Sequence, residues 1–175
     1  MRIFWVEAPG ISLTRFRELV PVTKKIFFVR DFRDVLCSMI SCVQNEKRVT
    51  FFNHENSKNA EYISKSIEYQ AKLLYNQWKL HENDSCFVRY EDLIQRPETV
   101  FQRIINYLEV SDNTEQAGSI VKNIGRKKRR LKRLKRESSV GNYPSCGSQA
   151  GLSEELFESF TNNCTEALKG FGYEV

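Results

Sequence analysis

Two rhythms of apolar positions alternate along this chain, and each change of rhythm marks an element. Ile26-Phe27-Phe28-Val29 is a continuous apolar run closed by Arg30, the pattern of a strand buried on both faces. Beyond Arg30, Val35, Met39 and Ile40 fall at i, i+4 and i+5 with Leu36 beside them, which makes one apolar face of a helix. Asp31 and Asp34 stand near its start, where carboxylates suit the dipole. A buried strand running straight into a helix is the first half of a βαβ unit. Upstream, Ile3-Phe4-Trp5-Val6 reads as a shorter buried strand before the Pro9-Gly10 turn, and residues 12–20 as one or two helical turns before Pro21. Residues 44–58, polar around the Phe51-Phe52 pair and including His54, read as a loop.

The second half repeats the alternation. Asn59 to about Glu82 is the longest helix, with Ile63, Ile67, Leu73, Leu74 and Trp78 near helical spacing. Its aromatics Tyr62, Tyr69, Tyr75 and Trp78 are expected in the core. Cys86-Phe87-Val88-Arg89-Tyr90 is a second inner strand, followed by Glu91 and Asp92 as turn and cap residues. Pro97 then starts a helix with Val100, Phe101, Ile104, Ile105 and Leu108 on its buried face. Ser153 caps a last helix carrying Leu156, Phe157, Phe160 and Leu168, ended by Gly170 and Gly172. This order predicts an α/β domain with a parallel sheet flanked by helices.

Composition refines the picture in three places. The 175 residues suit one domain, 1–175, with a real core, and neither a membrane span nor a signal peptide is visible. Five cysteines without a CxxC pair, beside only His54 and His81, assemble no zinc pattern. Reduced thiols in a cytoplasmic protein is the simpler reading, against which stand only the two N-x-S/T triplets at Asn83 and Asn163. The net charge of +5 is local: residues 126–136 carry nine of the 27 basic side chains, and the remaining 18 face 22 acidic ones. Such a run repels itself and is expected to be a mobile loop or solvated helix. A nucleic-acid arm would look similar, but no aromatics interleave here.

The candidate chemistry lies at the first strand–helix junction. Arg30 sits where ligands gather in open α/β sheets, and Ser38 projects from the helix about two turns on. A guanidinium fork and a hydroxyl there suit one phosphate. The stretch Arg30, Arg33-Asp34, Ser38 resembles the 3′-phosphate-binding motif of the PAPS-dependent sulfotransferases, whose donor is 3′-phosphoadenosine 5′-phosphosulfate. In that family a strand ends in Arg, an (R/K)-D pair follows, and a Ser stands eight residues after the Arg, as it does here. RYEDLIQRPETVFQRIINYLEV, from Arg89 to Val110, resembles the family's (R/F)YEDL-x(3)-P segment and following helix. Arg136-Glu137-Ser138-Ser139-Val140-Gly141-Asn142-Tyr143 is similar to the family loop that folds over the nucleotide, departing from it at Glu137 and Ser138. The ending LSEEL…LKGFGYEV resembles the C-terminus of bacterial members.

The resemblance implies a P-loop-NTPase-like sulfotransferase fold that transfers a sulfuryl group from PAPS to an acceptor hydroxyl or amine, leaving PAP, with no metal. Arg30, Ser38 and Arg136 would hold the 3′-phosphate. Tyr90 would border the adenine, or else be a core tyrosine. Glu7, in Glu7-Ala8-Pro9, falls 23 residues before Arg30, where family members carry a catalytic base; a surface carboxylate is the alternative. The acceptor would be a small molecule, glycan or peptide. The family's 5′-phosphosulfate loop, Lys-x-Gly-(S/T), does not occur in the sequence. The expectation is therefore a chain incomplete at its N-terminus and weakly active or inactive alone, completed by a missing segment or a second chain. Two other readings stand beside this one: a non-catalytic nucleotide- or polyanion-binding remnant using residues 126–136, and a P-loop nucleotide kinase, disfavoured because no Walker A sequence is present.

Overall fold

The computed structural model describes residues 24–44, 59–109 and 152–175. The expected strand at 3–6, Glu7, the helical turns at 12–20, the loop with His54, the basic run and the Arg136–Tyr143 match lie outside the described residues.

Strand β1 (Lys25–Val29) leads into helix α1 (Phe32–Gln44), and α2 (Ala60–Leu80) follows. A 3₁₀ turn (Glu82–Asp84) then delivers β2 (Ser85–Arg89). Next come the short helix α3 (Tyr90–Gln95), α4 (Pro97–Leu108) and α5 (Glu154–Gly170). β1 and β2 pair in parallel, from Lys25 opposite Ser85 to Val29 opposite Arg89. A parallel pair needs a long crossover, and here it contains α1 and α2.

Local chemistry sets the boundaries. The side chain of Asn59 accepts the Glu61 N–H at 2.8 Å and opens α2, and Ser153 does the same for α5 through the Leu156 N–H at 3.3 Å. Such caps satisfy amides that the helix itself cannot. Pro97 occupies the first turn of α4, where its missing N–H costs nothing. After α5 the chain turns sharply: Gly172 has φ of +79°, the left-handed region that glycine enters without penalty.

Alternation along the strands sends side chains to two different covers. Val29 and Phe87 join a large cluster with Leu36, Ile40, Ile63, Ile67, Ala71, Phe160, Cys164 and Leu168, contributed by α1, α2 and α5. Ile26, Cys86 and Val88 face the other way, onto Leu93, Val100, Ile104 and Tyr107 of α3 and α4. Helices on both faces of a parallel sheet make this an α/β fold, as the sequence predicts. Phe171, just beyond α5, is the aromatic hub. It stacks on Phe87 (5.5 Å between centroids) and meets Trp78 at 5.2 Å, Tyr75 at 5.5 Å and Phe32 at 6.0 Å.

Three core expectations need correction. Phe28 is 43% exposed, because α3 and α4 cover Ile26, Cys86 and Val88 on its face and do not reach over Phe28. Tyr62 and Tyr69 are 40% and 69% exposed. The buried row of α2 is Ile63, Ser64, Ile67 and Ala71, and the two tyrosines, seven residues apart, share a row turned away from it.

Candidate functional site

Both strands run the same way; β2 ends at Arg89, opposite Val29, and Arg30 is the first residue beyond β1, so both arginines stand at one edge of the sheet. That edge, beyond the carboxyl ends of parallel strands, is where α/β folds bind ligands.

Arg30 is loosely held. Its Nη2 donates to Asp34 Oδ2 at 3.5 Å, the outer limit of a hydrogen bond. Its guanidinium carbon lies 5.0 Å from the centroid of the Tyr90 ring, a cation–π contact. Its buried Nε has no hydrogen-bond partner among the described residues, although the side chain keeps 31% of its surface open to solvent. An arginine with unused donors, a ring at its back and an open front is suited to an anion.

The carboxylates around it are buried. Asp34 is raised above the ordinary carboxylate range, first by burial, with Arg30 opposing the shift and the charges of Asp31 and Glu91 adding to it. Asp34 is therefore a reluctant anion, which fits its long contact with Arg30. Asp31 is engaged otherwise: Arg33 forks onto it with Nε to Oδ1 at 3.0 Å and Nη2 to Oδ2 at 2.8 Å. The Arg33 backbone N–H also donates to Oδ1 at 2.9 Å.

Glu91 bridges the two junctions. One oxygen accepts the backbone N–H of Asp31 at 3.1 Å, and the other accepts the hydroxyl of Tyr173 at 2.8 Å. Arg89, by contrast with Arg30, is fully engaged. It forks onto Asp92 at 3.0 and 3.3 Å and donates Nη1 to the Gly172 carbonyl at 2.9 Å. Asp92 also accepts from Arg96 at 3.0 Å. These hydrogen bonds, Arg89's first, hold its carboxyl below the ordinary range, and the same bond raises Arg89.

Of the five residues singled out in the sequence, the structure brings Arg30 and Tyr90 together. Ser38 is exposed on α1, four residues after Asp34, so it stands one turn beyond the carboxylate that Arg30 touches. Glu7 and Arg136 lie outside the described residues. Sequence reasoning placed Glu91 and Asp92 at a turn but missed the link from Glu91 to Tyr173 and Asp31. The available signal was the paired polar residues Glu91 and Tyr173 beside strand and helix ends. Among the described residues, no group of three or more His, Cys, Asp or Glu is placed to hold a metal ion, and no helix is long and apolar enough to cross a membrane. Cys42, Cys86 and Cys164 are free thiols.

The fold and this edge define an α/β domain with an anion-ready arginine after its first described strand. The chain belongs to the sulfotransferase family, whose model matches residues 12–114. That stretch takes in Arg30, Ser38 and Tyr90 and leaves out Glu7, Arg136 and Tyr173. A Caenorhabditis briggsae protein named "Putative protein-tyrosine sulfotransferase" is 32% identical over 101 residues, which are 58% of this chain and 34% of that protein. The chain thus spans about a third of the length of that curated relative. No solved structure matches it.

Proposed function

We propose that this chain binds the 3′-phosphate of PAPS and serves a sulfuryl transfer to an acceptor hydroxyl or amine. The observation that carries the reading is Arg30: unsatisfied at Nε, only 3.5 Å-bonded to Asp34, and backed by Tyr90. Arg30, Ser38 and Arg136 would neutralise the 3′-phosphate, and Tyr90 would border the adenine. In the transfer the acceptor oxygen attacks sulfur as the bond from sulfur to the 5′-phosphate oxygen breaks. PAP leaves, and the acceptor proton passes to Glu7 as base. Negative charge gathers on the bridging oxygen, so catalysis rests on positioning and on prearranged donors. Among small-molecule, glycan and peptide acceptors, the name of the C. briggsae relative favours a tyrosine phenol of a protein. The free thiols suit a reducing, cytoplasmic setting.

Titration calorimetry tests the donor site. The chain is expected to prefer adenosine 3′,5′-bisphosphate over 5′-AMP, and Arg30→Ala to abolish the preference, a loss of about 2 kcal/mol. Equal affinity of the unaltered chain for the two nucleotides would remove the 3′-phosphate site. Turnover of radiolabelled PAPS is to be followed for residues 1–175 alone and with an added Lys-x-Gly-(S/T) segment, in cis or as a second chain. Transfer only in the second case is the outcome this reading expects.

Nine basic side chains in residues 126–136 favour a second reading, a non-catalytic nucleotide- or polyanion-binding remnant. Deleting residues 126–133 while sparing Arg136 separates the two. A modest loss of nucleotide affinity fits a segment near the phosphate, whereas loss of nucleotide binding together with salt-sensitive heparin binding fits the remnant.

A further inference from the structure

The turn that follows α5 reaches into the strand-end edge, far from it in sequence. Gly172 and Tyr173 lie 83 and 82 residues from Arg89 and Glu91, the residues they bond. The Tyr173 hydroxyl donates to Glu91 Oε2 at 2.8 Å and also lies 3.5 Å from the Val29 carbonyl, the last residue of β1. Glu91 is buried, and its other oxygen holds the Asp31 amide. Val29 and Asp31 are the two chain neighbours of Arg30. Glu91 is itself the chain neighbour of Tyr90, whose ring backs the Arg30 guanidinium. Tyr173 therefore touches, directly or through one carboxylate, the backbone on both sides of Arg30 and the helix start that carries Tyr90.

Two further observations make this contact a firm one. The Arg89 guanidinium lies over the Tyr173 ring at 5.6 Å while its Nη1 clamps the carbonyl of the preceding Gly172, so one arginine holds both the ring face and the backbone that carries it. Burial and the adjacent Glu91 charge push the Tyr173 phenol far above its ordinary range, which keeps it a donor at every working pH.

We propose that Tyr173 is a positioning residue for the anion site: through Glu91 it fixes the backbone around Arg30, and so sets the preference for a 3′-phosphate. The inference rests on the proposed donor site for its ligand, but not for its geometry. The molecule therefore has two separate readouts. The first is amide hydrogen exchange at Asp31 in the full chain without nucleotide. Tyr173→Phe leaves Glu91 Oε2 without its donor, and Asp31 exchange is expected to quicken on the order of tenfold, as for the loss of one hydrogen bond to a charged group. The second is the ratio of affinities for adenosine 3′,5′-bisphosphate and 5′-AMP, expected to fall roughly three- to tenfold in the same variant.

Phe160→Leu, a change in the fully buried core that leaves these contacts alone, is the matched control and is expected to keep both values while lowering the melting temperature. In Glu91→Gln the carbonyl oxygen can keep the Asp31 amide while the amide group donates to the Tyr173 oxygen, so slow Asp31 exchange is expected to be retained there. Unchanged Asp31 exchange and an unchanged ratio in Tyr173→Phe would overturn the proposal, as would an equal fall in the ratio in Phe160→Leu. A wild-type chain without any 3′-phosphate preference would sink the donor site instead, and Asp31 exchange would still decide the role of Tyr173.

Discussion

Arg30 and Arg89 stand at the carboxyl ends of two paired parallel strands, one step out of register because Arg89 lies opposite Val29, and their side chains are held in opposite ways. Arg89 has its donors taken: Asp92 receives its fork, the Gly172 carbonyl receives Nη1, and the Tyr173 ring lies beneath it. Arg30 has one bond at 3.5 Å, a buried Nε without a partner among the described residues, and a ring behind it. A satisfied arginine in a partly buried place is a strut. An unsatisfied one costs stability unless something else completes it, and at a strand end of an α/β sheet the natural complement is an anion. The two strand-end arginines thus differ in what the fold leaves undone around each.

Exchanging the two roles by mutation should break the symmetry. The largest effect expected is on stability. Arg89→Ala removes a two-pronged ion pair and the clamp on Gly172 and leaves Asp92 to Arg96 alone, so chemical denaturation should show a loss of about 2 kcal/mol. Arg30→Ala should lower stability by less than about 1 kcal/mol in the same denaturation assay. A larger loss for Arg30 than for Arg89 would reverse the assignment of strut and binder.

A smaller effect sharpens the comparison through pH. The folded Asp92 carboxyl titrates below its unfolded value because Arg89 and Arg96 donate to it. A lowered carboxylate contributes stability that is present above the unfolded value near 3.8 and is lost as pH falls through the folded one. Asp92→Asn should therefore melt several degrees below the parent chain at neutral pH, with the gap closing in acid below that value. A gap that stays constant down to the acid limit would mean the pair contributes through shape alone. Asp34 carries the opposite sign: its folded pKa is raised, so its ionisation subtracts stability as pH rises through that value. Binding of a phosphate at Arg30 should raise Asp34 further, visible as proton uptake in calorimetry run in buffers of different ionisation enthalpy.

How far the sequence carried these roles depends on how local their causes are. β1, α1, α2, α4 and α5 were legible because each is announced by neighbours: an apolar run before Arg30, the Asn59 and Ser153 caps, Pro97 at a helix start. The parallel pairing was legible through the order of elements, and motif spacing drew attention to Arg30 and Tyr90, which the fold sets side by side. Burial was less legible. Phe28 and the Tyr62–Tyr69 row have the composition of core residues, and only the placement of α3, α4 and α5 decides which faces are covered. The difference between Arg30 and Arg89 was not legible at all. Both follow Val with an aspartate three or four residues on, and what separates them is the closer Asp92 fork together with Gly172 and Tyr173, arriving from the far side of α5.

That last contact also has a history in time. The Val29 carbonyl and the Tyr173 hydroxyl are 144 residues apart in sequence. At ribosomal rates of about 5–20 residues per second, on the order of ten seconds pass between the synthesis of β1 and that of the tyrosine that reaches its end. During that interval β1, α1 and α2 can collapse through their own apolar faces, and β2 can pair once it emerges. Arg89 and Glu91 meanwhile lack the Gly172 carbonyl and the Tyr173 hydroxyl. The contacts that Gly172 and Tyr173 make on this strand-end edge are thus among the last to become available, and a chain stalled before Phe171 would carry Arg89 and Glu91 without them.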